Sequence, residues 1–251
     1  EKHIIRYPQL FATKAIQKNI QEKKNKGIIW HTQGSGKTAL AYYSLKYLQI
    51  YDFLYFSNTR ILRMEKDLKQ TKSNCIKVVL FGPESTGKTT LAKKLARHYN
   101  SVWVREYARE YLQNKWNNER KTCEPKDLPE IAKGQIKLEN ELSKKTDSVL
   151  ICDTDLLETK VYSESYYSGT CDPIIEKYAL ENTYDLYLLT YIDVPWVKDD
   201  LRDKPNERMK SFKIFENTLI KYNRPYVILK GSKQERLNIA IKHIDRLMKS
   251  M

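Results

Sequence analysis

From Cys75 onward, short apolar runs alternate with stretches in which apolar positions recur every three or four residues. The runs near 76–81, 101–105, 148–152, 185–190 and 226–229 have strand length. The periodic stretches near 87–99, 106–116, 128–145, 155–166, 173–180, 207–222 and 233–249 predict helices. Strands that alternate with helices predict an α/β fold, with a five-stranded parallel sheet covered on both faces in three layers. Upstream the pattern is shorter. Pro8 opens a helix through about Gln21, and Gln21–Gly27 is a polar turn. A strand over 27–30, a helix over 38–50 and a short strand over 52–56 follow, then a charged helix over 59–70. Thr71-Lys72-Ser73-Asn74 makes the junction. The expected division is therefore a helix–strand–helix appendage over 1–70 and a larger domain over 75–251.

The first predicted strand of the larger domain, Lys77-Val78-Val79-Leu80-Phe81, runs straight into Gly82-Pro83-Glu84-Ser85-Thr86-Gly87-Lys88-Thr89-Thr90. This is a complete phosphate-binding loop, and a strand before it with a helix after it is the context such a loop needs. Gly82 and Gly87 let the backbone curl so that its N–H groups point at phosphate oxygens. Lys88 reaches the β- and γ-phosphates, Thr89 offers its hydroxyl to Mg²⁺, and the helix dipole adds to the anion site. A P-loop NTPase using ATP and Mg²⁺ follows from these residues.

A second loop lies upstream, His31-Thr32-Gln33-Gly34-Ser35-Gly36-Lys37-Thr38, after the strand-like Gly27-Ile28-Ile29-Trp30. His31 replaces the usual first glycine, and only the Gly-x-Gly-Lys-Thr core is kept. A nucleotide-binding domain needs several βα units around its loop, and there is no room for them between Thr38 and Lys77.

Composition sharpens the division. The net charge of +14 is uneven: residues 1–71 hold thirteen Lys/Arg against five Asp/Glu, and residues 72–251 hold thirty-two against twenty-six. The basic first segment fits either DNA or another polyanion, or a plain solvated surface. Cys75, Cys123, Cys152 and Cys171 show no metal-ligand spacing, which fits free thiols in a cytoplasmic protein. No apolar run approaches membrane length.

Several side chains in the larger domain have the type and place for phosphoryl transfer. Ser148-Val149-Leu150-Ile151-Cys152-Asp153 is a buried-type strand ending in a carboxylate that is placed to hold Mg²⁺ beside Thr89. Asp155, two residues on, either caps the next helix or touches substrate. Glu106 follows the predicted strand Val102-Trp103-Val104-Arg105, at the edge where ligands of parallel sheets bind. It is either a base for the attacking hydroxyl or an ordinary acid at a helix start. Tyr107 and Arg109 are placed to meet the acceptor. After the fourth strand, Arg202 and Arg208 are the pair expected to close over the phosphates as a lid. Trp196, in the same segment, either stacks on an aromatic base or anchors the segment to the core.

The loop at 82–89, Glu106-Tyr107-Ala108-Arg109-Glu110-Tyr111, Asp153-Thr154-Asp155, and Pro195-Trp196-Val197 followed by Asp200-Leu201-Arg202 occur in that order. In these features the larger domain resembles the ribosylnicotinamide kinase domain of the bifunctional nicotinamide-nucleotide adenylyltransferase/ribosylnicotinamide kinase family. The resemblance implies ATP- and Mg²⁺-dependent phosphorylation of the 5′-hydroxyl of nicotinamide riboside, a step of NAD biosynthesis. No His-x-Gly-His motif of that family's adenylyltransferase domain occurs. The first segment, with Arg6-Tyr7-Pro8-Gln9 and the loop at 31–38, resembles a fragment of the motor of type I restriction enzyme subunits. That resemblance implies adenine reading by Gln9 and stops near residue 50, before an Asp-Glu-x-His box or any later motor motif. The sequence thus supports a nucleoside kinase first, a DNA-linked ATPase of a defence system second, and a nucleotide-sensing regulator third.

Overall fold

The computed structural model describes residues 14–16, 18, 64–202 and 205–250. The appendage expected over 1–70, its loop and Gln9 therefore lie almost wholly outside the described residues. The chain divides between Leu62 and Arg63 into two compact units, and the second, Arg63–Met251, carries the fold.

Five parallel strands form one sheet: β1 (Ile76–Phe81), β2 (Trp103–Val104), β3 (Val149–Asp153), β4 (Leu186–Thr190) and β5 (Tyr226–Leu229), in the order β2-β3-β1-β4-β5. Between them run α1 (Lys88–His98), α2 (Tyr107–Glu119), α3 (Leu128–Leu142), α4 (Leu156–Tyr166), α5 (Pro173–Glu181), α6 (Arg208–Lys221) and α7 (Lys233–Lys249). The expected strands and helices of this domain are all present. The strand expected over 101–105 is reduced to two residues. It is the sheet edge, pairing only Trp103 with Ile151 and Val104 with Cys152, and short edges protect a sheet from foreign pairing. Among the described residues no helix is long and apolar enough to cross a membrane.

Alternation along the strands builds two cores. Val79, Phe81, Leu150, Cys152, Tyr187 and Leu189 pack on one face beneath α3, α4, α5 and α6. Val78, Leu80, Val149, Ile151, Leu186 and Leu188 pack on the other beneath α1 and α7. In α1 the buried positions Leu91, Ala92, Leu95 and Ala96 follow the helical repeat that the sequence displays. Ser232 and Glu235 form a capping box that starts α7. The register sets Leu80 beside Asp153 and Phe81 beside Leu189, so the loop leaving β1 emerges between the ends of β3 and β4.

The segment before β1 belongs to this packed unit. Leu68 is fully buried in the first core. Its carbonyl accepts Asn182 Nδ2 at 3.2 Å, and that of Lys69 accepts Asn140 Nδ2 at 3.0 Å. Gln70 Nε2 and Lys77 Nζ both donate to Glu139 Oε1, at 2.7 and 3.0 Å, while the Tyr184 hydroxyl donates to Glu139 Oε2 at 2.8 Å. Leu68→Ala is expected to cost about 2–5 kcal/mol of stability, the range for a buried leucine. Chemical denaturation of the isolated 63–251 fragment measures it, and a loss under about 0.5 kcal/mol, the ordinary surface value, would show the docking to be incidental.

Candidate active site

The loop conformation explains its residues. Gly82 has φ +132°, and a Cβ there would meet Thr190 Oγ1 at 2.9 Å, so only glycine permits the close approach to β4. Gly87 has φ +88° and precedes the first turn of α1. Thr86 is buried, its hydroxyl donating to the Pro83 carbonyl at 2.7 Å and lying 2.7 Å from Thr190 Oγ1. Thr89 and Thr90 are exposed at the mouth. Lys88 is folded onto its own loop, with Nζ donating to the carbonyls of Gly82 at 2.6 Å and Pro83 at 3.1 Å. Burial alone would lower its pKa, but Glu158, then Glu106 and Asp153, hold it charged above the usual lysine value.

Those three carboxyls face Lys88, Asp153 from the end of β3, Glu106 from the start of α2 and Glu158 from the first turn of α4. Asp153 ends β3, is fully buried, and has no hydrogen-bond partner on either oxygen. Burial and then Glu106 push its pKa up to about 7, against the opposing pull of the Thr89 hydroxyl, Lys88 and Lys93. Glu106 stands at the N-cap position of α2 but makes no capping hydrogen bond. Gln135 of α3 does that work, accepting the Tyr107 N–H at 2.8 Å, and its Nε2 lies 3.4 Å from the Thr154 carbonyl. The Glu106 carboxylate is thereby spared from its helix.

Other expected residues sit differently. Asp155 is enclosed, accepting the Glu158 N–H at 2.9 Å and the Tyr187 hydroxyl at 2.8 Å. Each oxygen accepts one bond from the fold, and the residue caps α4. Tyr107 lays its ring over Gly134, where a Cβ would meet Tyr107 Cε1 at 2.2 Å. With Tyr111, Asn114 and Lys115 it lines a polar cavity of about 450 Å³. Trp196 lines a separate slot of about 20 Å³ with Pro83, Tyr162, Tyr166, Arg208 and Phe215. That slot has room for about one water, and Trp196 packs there against Arg208. Tyr107 and Trp196 thus line different cavities.

The segment from β4 to α6 closes on the loop. Val197 N–H donates to Ser85 Oγ at 2.9 Å, and Arg208 donates to the carbonyls of Val194 at 2.8 Å and Ser85 at 3.3 Å. Arg202 does not face the phosphate loop. Its Nε pairs with Asp199 at 3.2 Å and its Nη1 donates to the Val197 carbonyl at 2.7 Å. Arg109 also pairs with Asp199, at 2.7 Å, and so fastens the segment to α2. Asp199 holds Arg202 and Arg109 in the present arrangement.

Two residues the sequence did not single out are central. Arg236 of α7 is buried and donates to the carbonyls of Thr86 at 2.8 Å, Gly231 at 3.0 Å and Tyr191 at 2.9 Å, and to Asp193. It ties the phosphate loop to the ends of β4 and β5. Glu158 on the first turn of α4 lies 3.1 Å from Lys88 Nζ. Its only sequence signal is an acid three residues after the capping aspartate, which reads as an ordinary first-turn acid.

Fold and loop together define a nucleotide-binding P-loop domain. The chain belongs to the family described as AAA domain, whose model matches residues 77–236. It is 30% identical over 143 residues to the trifunctional NAD biosynthesis/regulator proteins NadR of Salmonella typhimurium and Escherichia coli, over 57% of this chain and 34% of each relative. It thus spans about a third of the length of those relatives. A NadR structure in complex with NR is similar at TM-score 0.61 and 24% identity, over 70% of this chain and 52% of that one. A deoxyadenosine kinase from M. mycoides is similar at TM-score 0.52 and 15% identity, over 68% and 100%. The resemblance to restriction motors is also found: 51% identity over 51 residues to a putative type I restriction enzyme MjaVIIP endonuclease subunit of Methanocaldococcus jannaschii, covering 18% of this chain and 5% of that subunit.

Proposed function

We propose that this domain transfers the γ-phosphoryl group of ATP to the 5′-hydroxyl of a nucleoside, with nicotinamide riboside the leading acceptor. The observation that carries the reading is the convergence of Lys88, Asp153 and an uncommitted Glu106 at the carboxyl ends of β1, β3 and β2. The similarity to the NadR proteins supports the choice of acceptor. In the reaction the acceptor oxygen bonds to the γ-phosphorus as the bond to the β-phosphate oxygen breaks. Glu106 takes the proton of the hydroxyl, and ADP and the nucleoside monophosphate leave. Lys88 swings from its loop carbonyls to the phosphates, and Arg208 lies on the same loop to cover them. Arg202 joins it once released from Asp199.

The residues fit a magnesium ion. Asp153 offers two buried oxygens that only the Thr89 hydroxyl approaches among the described side-chain donors. Among the described residues no cluster of three or more acidic, histidine or cysteine side chains forms a protein cage. Magnesium, which keeps waters and substrate phosphates as ligands, needs none. Bound there it would neutralise charge on the transferring group.

Calorimetric titration with nicotinamide riboside, in the presence of a non-hydrolysable ATP analogue and Mg²⁺, tests the acceptor. Binding at micromolar riboside supports it, and binding of other nucleosides alone would move the assignment to them. A DNA-linked ATPase is the second reading, favoured by the restriction-subunit similarity, yet that similarity spans only 5% of the subunit.

A further inference from the structure

Glu158 has an arrangement that the reaction as described leaves unused. It is 2% exposed, on the first turn of α4, and its Oε1 lies 3.1 Å from Lys88 Nζ. Beyond that ion pair, neither oxygen has a hydrogen-bond partner. Lys88 Nζ also donates to the carbonyls of Gly82 at 2.6 Å and Pro83 at 3.1 Å. The other charges facing Glu158 are acidic: Glu106 from the start of α2 and Asp155 from the end of β3. Burial first, then these two carboxyls, raise its pKa to about 8 against the pull of Lys88.

Among the described residues Lys88 is the one cation paired with this carboxyl, and the phosphate chain of a nucleotide needs the same ammonium. When the phosphates draw Lys88 over, Glu158 keeps two enclosed oxygens with no partner. A buried polar group left without partners costs roughly what a hydrogen bond to it would recover. It is therefore poised to take a donor that arrives from outside. In a transfer to a nucleoside, the donors that enter the cleft beside Glu106 are sugar hydroxyls.

We propose that Glu158 is a second carboxyl of the acceptor site, which competes with the nucleotide for Lys88 in the empty cleft and binds a sugar hydroxyl of the acceptor once the nucleotide has taken Lys88. The inference rests on the nucleoside-kinase reading above and extends it in two ways. Nucleotide and acceptor should reinforce one another's binding. Acceptors lacking ribose hydroxyls should gain less from Glu158.

Calorimetric titration of the full chain and of Glu158→Gln tests this, with a non-hydrolysable ATP analogue and with nicotinamide riboside and adenosine as acceptors. The neutral amide keeps the enclosed shape, and an unchanged thermal melt confirms a folded variant. The analogue alone should bind the variant about 3- to 10-fold more tightly, because a competitor for Lys88 is gone. With the analogue present, the nucleoside should bind about 3- to 10-fold more weakly, the scale for losing one hydrogen bond. Unchanged or weaker binding of the analogue would overturn the exchange of Lys88. Unchanged nucleoside affinity would overturn the acceptor contact. If the wild-type chain binds no nucleoside, the kinase reading fails and the acceptor role with it, while the analogue titration still decides the exchange. Glu158→Asp, which retains the charge but withdraws it, should weaken the nucleoside without tightening the analogue as Gln does, and a matching response from both variants would point to shape alone.

Discussion

Lys88→Ala is expected to bring ATP-dependent phosphate transfer down by about 10²- to 10³-fold or more, the scale for deleting one preorganised charge-stabilising donor. The cation is held at the phosphate loop by Gly82, Pro83 and Glu158 and kept charged by three carboxyls. No other described ammonium hydrogen-bonds to that loop, so nothing replaces it. Lys37→Ala, in the upstream loop, is expected to leave turnover unchanged, since the sequence leaves no room between Thr38 and Lys77 for the βα units a site requires. Steady-state ATP turnover of both variants decides between the loops. An equal loss from Lys37→Ala would place the activity in the first segment.

The second large effect concerns the acceptor side. Glu106→Gln is expected to lower kcat by about 10²-fold, the lower end for general acid–base catalysis, because phosphoryl transfer depends more on positioning than on a strong base. KM for ATP should hold. The variant keeps the helix start intact, since Gln135 and not Glu106 caps α2. Asp153→Asn should behave differently and raise the Mg²⁺ concentration needed for half-maximal rate, because it removes the carboxylate beside Thr89. A kcat unchanged in Glu106→Gln would remove the base from the account.

Much of this was legible in the sequence, and the reasons are local. The strands of the central sheet are continuous apolar runs, and the phosphate loop is a contiguous motif whose glycines answer to specific backbone needs. Asp153 was legible because a buried strand that ends in a carboxylate must deliver it to the sheet's ligand edge. The edge strand was overestimated, since strand length at an edge is set by pairing with β3 and not by its own residues.

What the sequence concealed depends on distant partners. Glu158 meets a lysine seventy positions earlier, and Arg236 reaches the carbonyl of Thr86 across 150 positions. The orientation of Tyr107 depends on Gly134, which leaves room for a ring on a neighbouring helix. Asp155 looked equally suited to capping and to substrate until Tyr187 supplied the hydroxyl that occupies its second oxygen. Arg109 and Arg202 each looked free to meet phosphate or acceptor, and Asp199 holds both.

The most direct measurement is transfer of labelled γ-phosphate from ATP to nicotinamide riboside by the full chain with Mg²⁺, with and without DNA. The account predicts nicotinamide mononucleotide as product, formed at the same rate whether or not DNA is present, and lost in Lys88→Ala. No transfer to any nucleoside, together with ATP hydrolysis that rises on adding DNA, would contradict it and give the cleft to a DNA-linked ATPase.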